Sequence, residues 1–220
     1  MRSVLQGWAP DAKGALKDAE AWAKKAVKLD PNDYAPLWDL AFVYLNTGRF
    51  RKAIETYEKA HKLYNDGTDR LDRKPGLLVE MAEAYVHAGE SEKGVELIKR
   101  AMRCPDWYQW NLGWAYFMAR DYDNALEALQ KIDLSPSNPQ YVPEVRLFIA
   151  AAQHRKAEQL KGLNRARAAS TESNRAKAAI ADFRKDHPEY TKEHGAAARS
   201  RFKNREDEEH WMKALEELGL

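Results

Sequence analysis

Apolar and small side chains recur in one fixed order three times along this chain. The copies are LAFVYLNTGRFRKAIETYEKA from Leu40, MAEAYVHAGESEKGVELIKRA from Met81 and LGWAYFMARDYDNALEALQKI from Leu112. Each begins with a bulky apolar residue followed by a small one, Ala41, Ala82 or Gly113. A tyrosine stands three residues on, at Tyr44, Tyr85 and Tyr116. Nine residues after the tyrosine comes a second small residue (Ala53, Gly94, Ala125), and seven further on stands Ala60, Ala101 or Ile132.

This order predicts two helices per copy. A small residue on the first helix lets the second approach closely, and the tyrosine fills the space one turn along the same face. The turns between them contain Asn46-Thr47-Gly48-Arg49 and His87-Ala88-Gly89-Glu90, where Gly48 and Gly89 suit the left-handed backbone that ends a helix. One such pair cannot bury its apolar face alone, so consecutive pairs must stack. The expected fold is therefore an all-α right-handed superhelix of about four helical hairpins with a C-terminal capping helix.

Partial copies flank the three. ALKDAEAWAKKAVKLDP reads as a second helix, with Ala19 and Ala26 at the small positions and Pro31 closing it. Its first helix is absent from the sequence, which suggests a native neighbour upstream. Residues 143–154 read as a further first helix and AKAAIADFRKDHP as its partner, separated by 14 residues more than the usual spacing, within KGLNRARAASTESN. A shorter insertion, around NDGTDRLDRKPG, has the Gly, Pro and charge of a solvated loop. The last stretch, DEEHWMKALEELGL, places Trp211, Leu215 and Leu218 on one side and is expected to cover the end of the stack. The expected units are a half repeat over 11–31, repeats over 34–65, 75–105 and 106–137, an extended repeat over 143–188 and a cap over 189–220, all in one domain.

The pattern resembles the tetratricopeptide repeat family. Its Leu-Gly-x-x-Tyr core is complete in Leu112, Gly113 and Tyr116. Ala53 with Tyr57 and Ala125 with Leu129 stand where that family has Ala-x-x-x-Phe. Pro31, Pro136 and Pro188 mark repeat ends, and Trp38 and Trp110 stand one position beyond the family's tryptophan. Over most of the chain, GWAPDAKGALKDAEAWAKKAVKLDPND, PDWYQWNLGWAYFMARDYDNALEAL and HPEYT…HWMKALEELGL also resemble the C-terminal repeat region of bacterial class III adenylate or guanylate cyclases and related regulators. That resemblance implies a regulatory module of a bacterial signalling protein.

Composition adds exclusions. The 220 residues carry 36 Lys plus Arg against 34 Asp plus Glu, a net +2 that points to no polyanion partner. Cys104 is the single cysteine, so neither an intrachain disulfide nor a multi-thiolate metal site is possible. No apolar run is long enough to span a bilayer, and the N-terminus has no apolar signal core. A cytoplasmic location is expected, or a periplasmic one if the parent protein spans a membrane. The six histidines (His61, His87, His154, His187, His194, His210) show no metal-ligand spacing. Asp207, Glu208 and Glu209 read as carboxylates complementing a helix dipole. No phosphate loop, nucleophile elbow or Cys–His pair is present. Neither enzyme activity nor a cofactor is expected.

The strongest functional signal is aromatic. In stacked hairpins the first helices line the concave groove. Projecting their faces assigns Trp38, Phe42 and Leu45, then Val79, Glu83 and Val86, then Trp107, Trp110, Trp114 and Phe117 to that wall. Left open, such rings exceed the apolar patch a soluble monomer shows, so a protein, a peptide or a neighbouring domain is expected to cover them. The competing expectation is internal packing, through the next repeat or the C-terminal tail. The Lys and Asn clamp that chaperone-binding members use for a terminal carboxylate is missing. A second signal is basic: Arg155, Lys156, Lys161, Arg165, Arg167, Arg175 and Lys177 fall within 155–177 against only Glu158 and Glu172. It reads as a solvated arm before a nucleic-acid site, since no aromatic residue interleaves it for stacking. Alternative functions are homo-oligomerisation through the repeat ends or the aromatic face, giving a homodimer, and nucleic-acid binding through that arm.

Overall fold

The computed structural model describes residues 12–65, 74–101, 107–135, 144–191 and 202–220. Ten helices lie among them: α1 Ala12–Leu29, α2 Tyr34–Asn46, α3 Phe50–Asn65, α4 Pro75–His87, α5 Ser91–Ala101, α6 Trp107–Met118, α7 Tyr122–Leu129, α8 Glu144–Gly162, α9 Ala166–Asp186 and α10 Arg205–Glu217. Helices α1 to α8 each pack on the next, and α2, α4, α6 and α8 also touch in succession. That second set of contacts makes a solenoid: the first helices form one wall and the second helices the other. Cys104, the loop insertion over 66–73, Pro136, His194 and the side chain of Trp107 lie outside the described residues.

Local chemistry sets the helix ends. Asp33 caps α2 by accepting from the Ala35 amide at 2.9 Å, Asp121 accepts from the Asn124 amide ahead of α7, and Pro75 opens α4, where its missing N–H costs nothing. Gly48 and Gly89 end α2 and α4 at φ +74° and +84°. The small-residue columns nest as their spacing predicts. Ala41, Ala82, Ala53 and Ala125 are fully buried. A Cβ at Gly113 would lie 2.5 Å from Leu129 Cγ across the α6–α7 hairpin, and one at Gly94 would lie 2.6 Å from Val86 Cγ2.

The motif tyrosines reach back to the preceding hairpin. Tyr85 on α4 donates to Glu58 on α3 at 2.6 Å, and Lys99 on α5 sits over the Tyr116 ring on α6. Arg49, beside Tyr44, makes a two-pronged pair with Glu20 on α1 at 2.6 and 3.0 Å. Hydrogen bonding from Arg49 holds the Glu20 carboxyl down at about 2.

The extra residues of 161–174 lengthen the α8–α9 hairpin, giving helices of 19 and 21 residues joined at a sharp turn with Asn164 at φ +58°. One expectation changes: the C-terminal helix does not cover the end of the stack. The segment 202–217 starts at the C-terminal end of α4, passes over α6 and finishes on α8, so it lies along the wall of first helices.

Candidate partner-binding groove

Trp211 anchors α10 in this wall. Its indole is 1% exposed and meets Trp114 edge-on at 5.2 Å between ring centroids. Phe117 lies at 5.9 Å and Phe148 at 5.4 Å, both also presenting edges or faces at steep angles. Phe202 extends the cluster to Trp114 and to His87, which in turn stacks on Phe50. Ring edges against ring faces are the favoured geometry of aromatic pairs.

Polar contacts fix the register of the helix. The Lys203 amide donates to the His87 carbonyl at 3.0 Å, and Asn204 caps α10 by accepting from the Glu206 amide at 2.9 Å. Asp207, 6% exposed, accepts from the Arg120 guanidinium at 2.8 Å. At the other end Glu217 accepts from Arg155 and contacts His154, both at 2.9 Å. Burial would raise the Glu217 carboxyl, but the His154 hydrogen bond and the Arg155 charge outweigh it and hold it below its usual range. Arg155 also donates to the His210 carbonyl at 3.1 Å. His210 stands over Phe117 at 4.8 Å. Burial, with Arg120 and Arg155 nearby, pushes its imidazole down to about 3, so it is neutral.

These placements revise the expected site. Trp114 and Phe117 are 2% and 1% exposed beneath α10, and Leu45 is buried as well, as are Val79 and Val86. An open partner surface at these positions is therefore corrected to a covered one. The physical reason is that a groove rimmed by rings and guanidinium groups accepts an amphipathic helix, and this chain carries one. Trp38, Phe42, Glu83 and Trp110 remain half-exposed. Trp110 stacks on Phe148 at 6.1 Å. Trp38 lies against Gly76 and donates from its indole to Glu80 at 2.7 Å, joining α2 to α4.

Glu80 also accepts from the fully buried Tyr57 hydroxyl at 3.0 Å. Burial pushes its carboxyl up to about 7; the Trp38 and Tyr57 hydrogen bonds oppose that shift, while the Glu83 and Asp39 charges add to it. Burial raises the Asp39 carboxyl too.

The basic arm divides. Arg155 points into the groove and grips α10, which corrects its place in the arm. Arg165 and Arg167 are exposed at the tip of the α8–α9 hairpin. Arg175 pairs with Glu172 at 2.9 Å, Lys156 with Asp123 at 2.7 Å, and Lys161 with Glu158 at 2.7 Å. Three of the arm's cations are thus matched to carboxylates, two within the hairpin and one, Lys156, to Asp123 on α7.

Arg120, Asp207, His210 and Glu217 are site residues that sequence reasoning missed. One signal was available. Arg120 occupies the column of Gly48 and Gly89 and adopts the same left-handed backbone, φ +65°. A non-glycine residue there costs on the order of 1 kcal/mol. It stays because its guanidinium reaches both the Met118 carbonyl and Asp207.

Among the described residues no group of three metal-ligating side chains exists, and no described helix is long and apolar enough to cross a membrane.

An all-α solenoid of stacked helical hairpins, with a helix held along its inner wall, is the architecture of repeat scaffolds. Family models described as tetratricopeptide repeat match two stretches of the chain, residues 12–70 and 108–136. Solved structures of the same fold include MamA, at 20% identity and a TM-score of 0.56 over 81% of this chain and 96% of that one. A putative kinesin light chain with TPR-like repeats from Podosopora anserina gives 20% identity and 0.52 over 84% and 92%. A thermophilic TPR protein of Thermus thermophilus, TTC0263, gives 21% and 0.51 over 97% and 96%. At these identities the likeness is one of fold. No curated protein matches the sequence. Tetratricopeptide proteins are in general non-catalytic scaffolds for protein–protein interaction.

Proposed function

We propose that this protein is a non-catalytic binding module that holds a helical segment of a protein partner against its concave wall. The resemblance of the chain to repeat regions of bacterial cyclases and related regulators favours a regulatory setting, with the partner a separate protein or a neighbouring domain. The single observation that carries the reading is the seating of α10. The wall of α4, α6 and α8 buries a tryptophan and matches carboxylates with guanidinium groups along one amphipathic helix. Rigid first helices hold these groups in place beforehand, so little ordering is lost on the receptor side when a helix docks. The half-exposed Trp38 and Phe42 on α2 extend the same wall towards the N-terminus, Glu83 and Trp110 stand on α4 and α6 within it, and the whole of 1–220 serves as one binding domain.

Photo-crosslinking in the native cell tests this reading. A photoreactive residue at Phe42 or Glu83 should trap a defined partner, and one at Lys59 on the exposed side of α3 should not. Equal trapping from both walls, or none from the groove, would reject a groove-based function.

A further inference from the structure

The groove is already filled, and its occupant says what fits it. Resting on the groove reading above, we propose that residues 202–220 are a built-in competitor, and that the partner displacing them is a helix with a carboxylate one turn ahead of a tryptophan. Three observations carry this. First, recognition is charge-complementary: Arg120 and Arg155 come from the receptor, Asp207 and Glu217 from the helix, with Trp211 between them. A helix lacking those carboxylates leaves two partly buried guanidinium groups without their acidic partners, which selects against it.

Second, Arg120 keeps a left-handed backbone that its two sister turns assign to glycine. Besides a bond to the Met118 carbonyl inside its own turn, the arginine supplies what a glycine could not, the contact to Asp207, so the strained residue points to recognition.

Third, the docked interface is incompletely satisfied. His210 Nε2 and Arg155 Nε are buried without hydrogen-bond partners, directly beside the ion pairs. Buried polar atoms left unmatched weaken an interface. A competing helix with an aliphatic residue or an amide in place of His210 would dock better than the chain's own segment. The helix is thus a ligand of moderate fit, suited to exchange.

The test uses full-length protein and a fluorescein-labelled synthetic peptide with the sequence of 202–220, followed by anisotropy. The wild-type chain should bind it poorly, because its own copy is in place. Asp207→Lys and Trp211→Ala chains should bind it at least roughly tenfold tighter, the equivalent of one charge-assisted hydrogen bond. Adding Arg120→Gly to the Asp207→Lys chain should return the affinity to the wild-type level without lowering its helical content. A peptide carrying Trp211→Ala should bind none of them. Equal binding by wild type and both variants, or equal binding of the two peptides, would overturn the proposal. If no chain binds the peptide while crosslinking from Phe42 still traps a partner, the groove function stands and the competitor fails. Peptide exchange without any crosslinked partner would mean the reverse.

Discussion

The Trp211 indole stands at 90° to the Trp114 indole, 5.2 Å away, with neither ring more than 2% exposed. One ring belongs to the C-terminal helix and the other to the inner wall, so the covering of the groove depends on this pair. Trp211→Ala removes the largest fully buried side chain of the molecule's described residues. Losing such a ring from a packed site costs about 3–5 kcal/mol where the surroundings cannot relax. Here the cost is limited by the docking free energy of α10, since undocking relieves the cavity. The expected result is a modest fall in Tm with retained far-UV dichroism. Iodide quenching of the remaining tryptophans should rise as Trp114 meets solvent.

Replacing Trp114 itself is a different matter. It touches Phe117, Phe148, Phe202 and Trp211 from within the wall. Trp114→Ala should lower stability by about 3 kcal/mol or more in urea unfolding, whereas Phe42→Ala, at a half-exposed position, should change it far less.

Glu80 predicts a pH dependence of known sign. Its carboxyl is raised in the folded chain to about 7 from 4.5, so the folded state binds the proton more tightly than the unfolded state. Its contribution is fully present below about pH 4.5 and fades as pH rises through 7. The expected loss is on the order of 2 kcal/mol across that window. Glu80→Gln keeps an acceptor for Trp38 and Tyr57 while removing the titration. Stability profiles of the variant should be flatter between those pH values and higher at neutral pH.

His210 has the opposite sign. Its folded pKa is depressed from 6.5 to about 3, by burial first and then by Arg120 and Arg155. Arg120 lies in the turn after α6, Tyr122 on α7 and Arg155 on α8, so two cations and a phenol face the imidazole. The neutral ring contributes fully above about pH 6.5, and that contribution is lost as pH falls towards 3. Undocking of α10 should therefore become easier by on the order of 1 kcal/mol by about pH 5.5. Hydrogen exchange of α10 amides, corrected for intrinsic rates, should show this in wild type and not in His210→Asn.

Gly113 tests the nesting of the hairpins. A methyl group there would lie 2.5 Å from Leu129 Cγ and 3.3 Å from the Ala125 carbonyl, both fixed by burial. Gly113→Ala gains helix propensity but overpacks the α6–α7 contact. A net destabilisation of about 1–3 kcal/mol is expected by denaturant unfolding. A neutral or stabilising result would contradict the close approach.

The stacking was legible in the sequence because it is encoded by local spacing. Ala41, Ala82 and Gly113, with their partners Ala53, Gly94 and Ala125, could only recur in that register if helices nest there. Part of the wall of first helices was legible for the same reason: Trp114 and Phe117, both assigned to it, are the rings that Trp211 of α10 meets. What covers the wall stayed open between a partner and the chain's own C-terminal tail, because Trp211, Leu215 and Leu218 state that α10 buries a face without stating against which surface. Asp207 shows the same limit. Beside Glu208 and Glu209 it reads as a dipole-complementing carboxylate, and only the fold brings Arg120 to it across 87 residues.

Nuclear Overhauser effects between the indole protons of Trp114 and Trp211, in protein with selectively labelled tryptophan, probe the seating of α10 without any partner or assay. Strong cross-peaks in the wild-type chain, abolished by Asp207→Lys with Arg155→Glu, are expected if the helix fills the groove. Their absence in the wild-type chain, with Trp211 sharp and solvent-exposed, would contradict it.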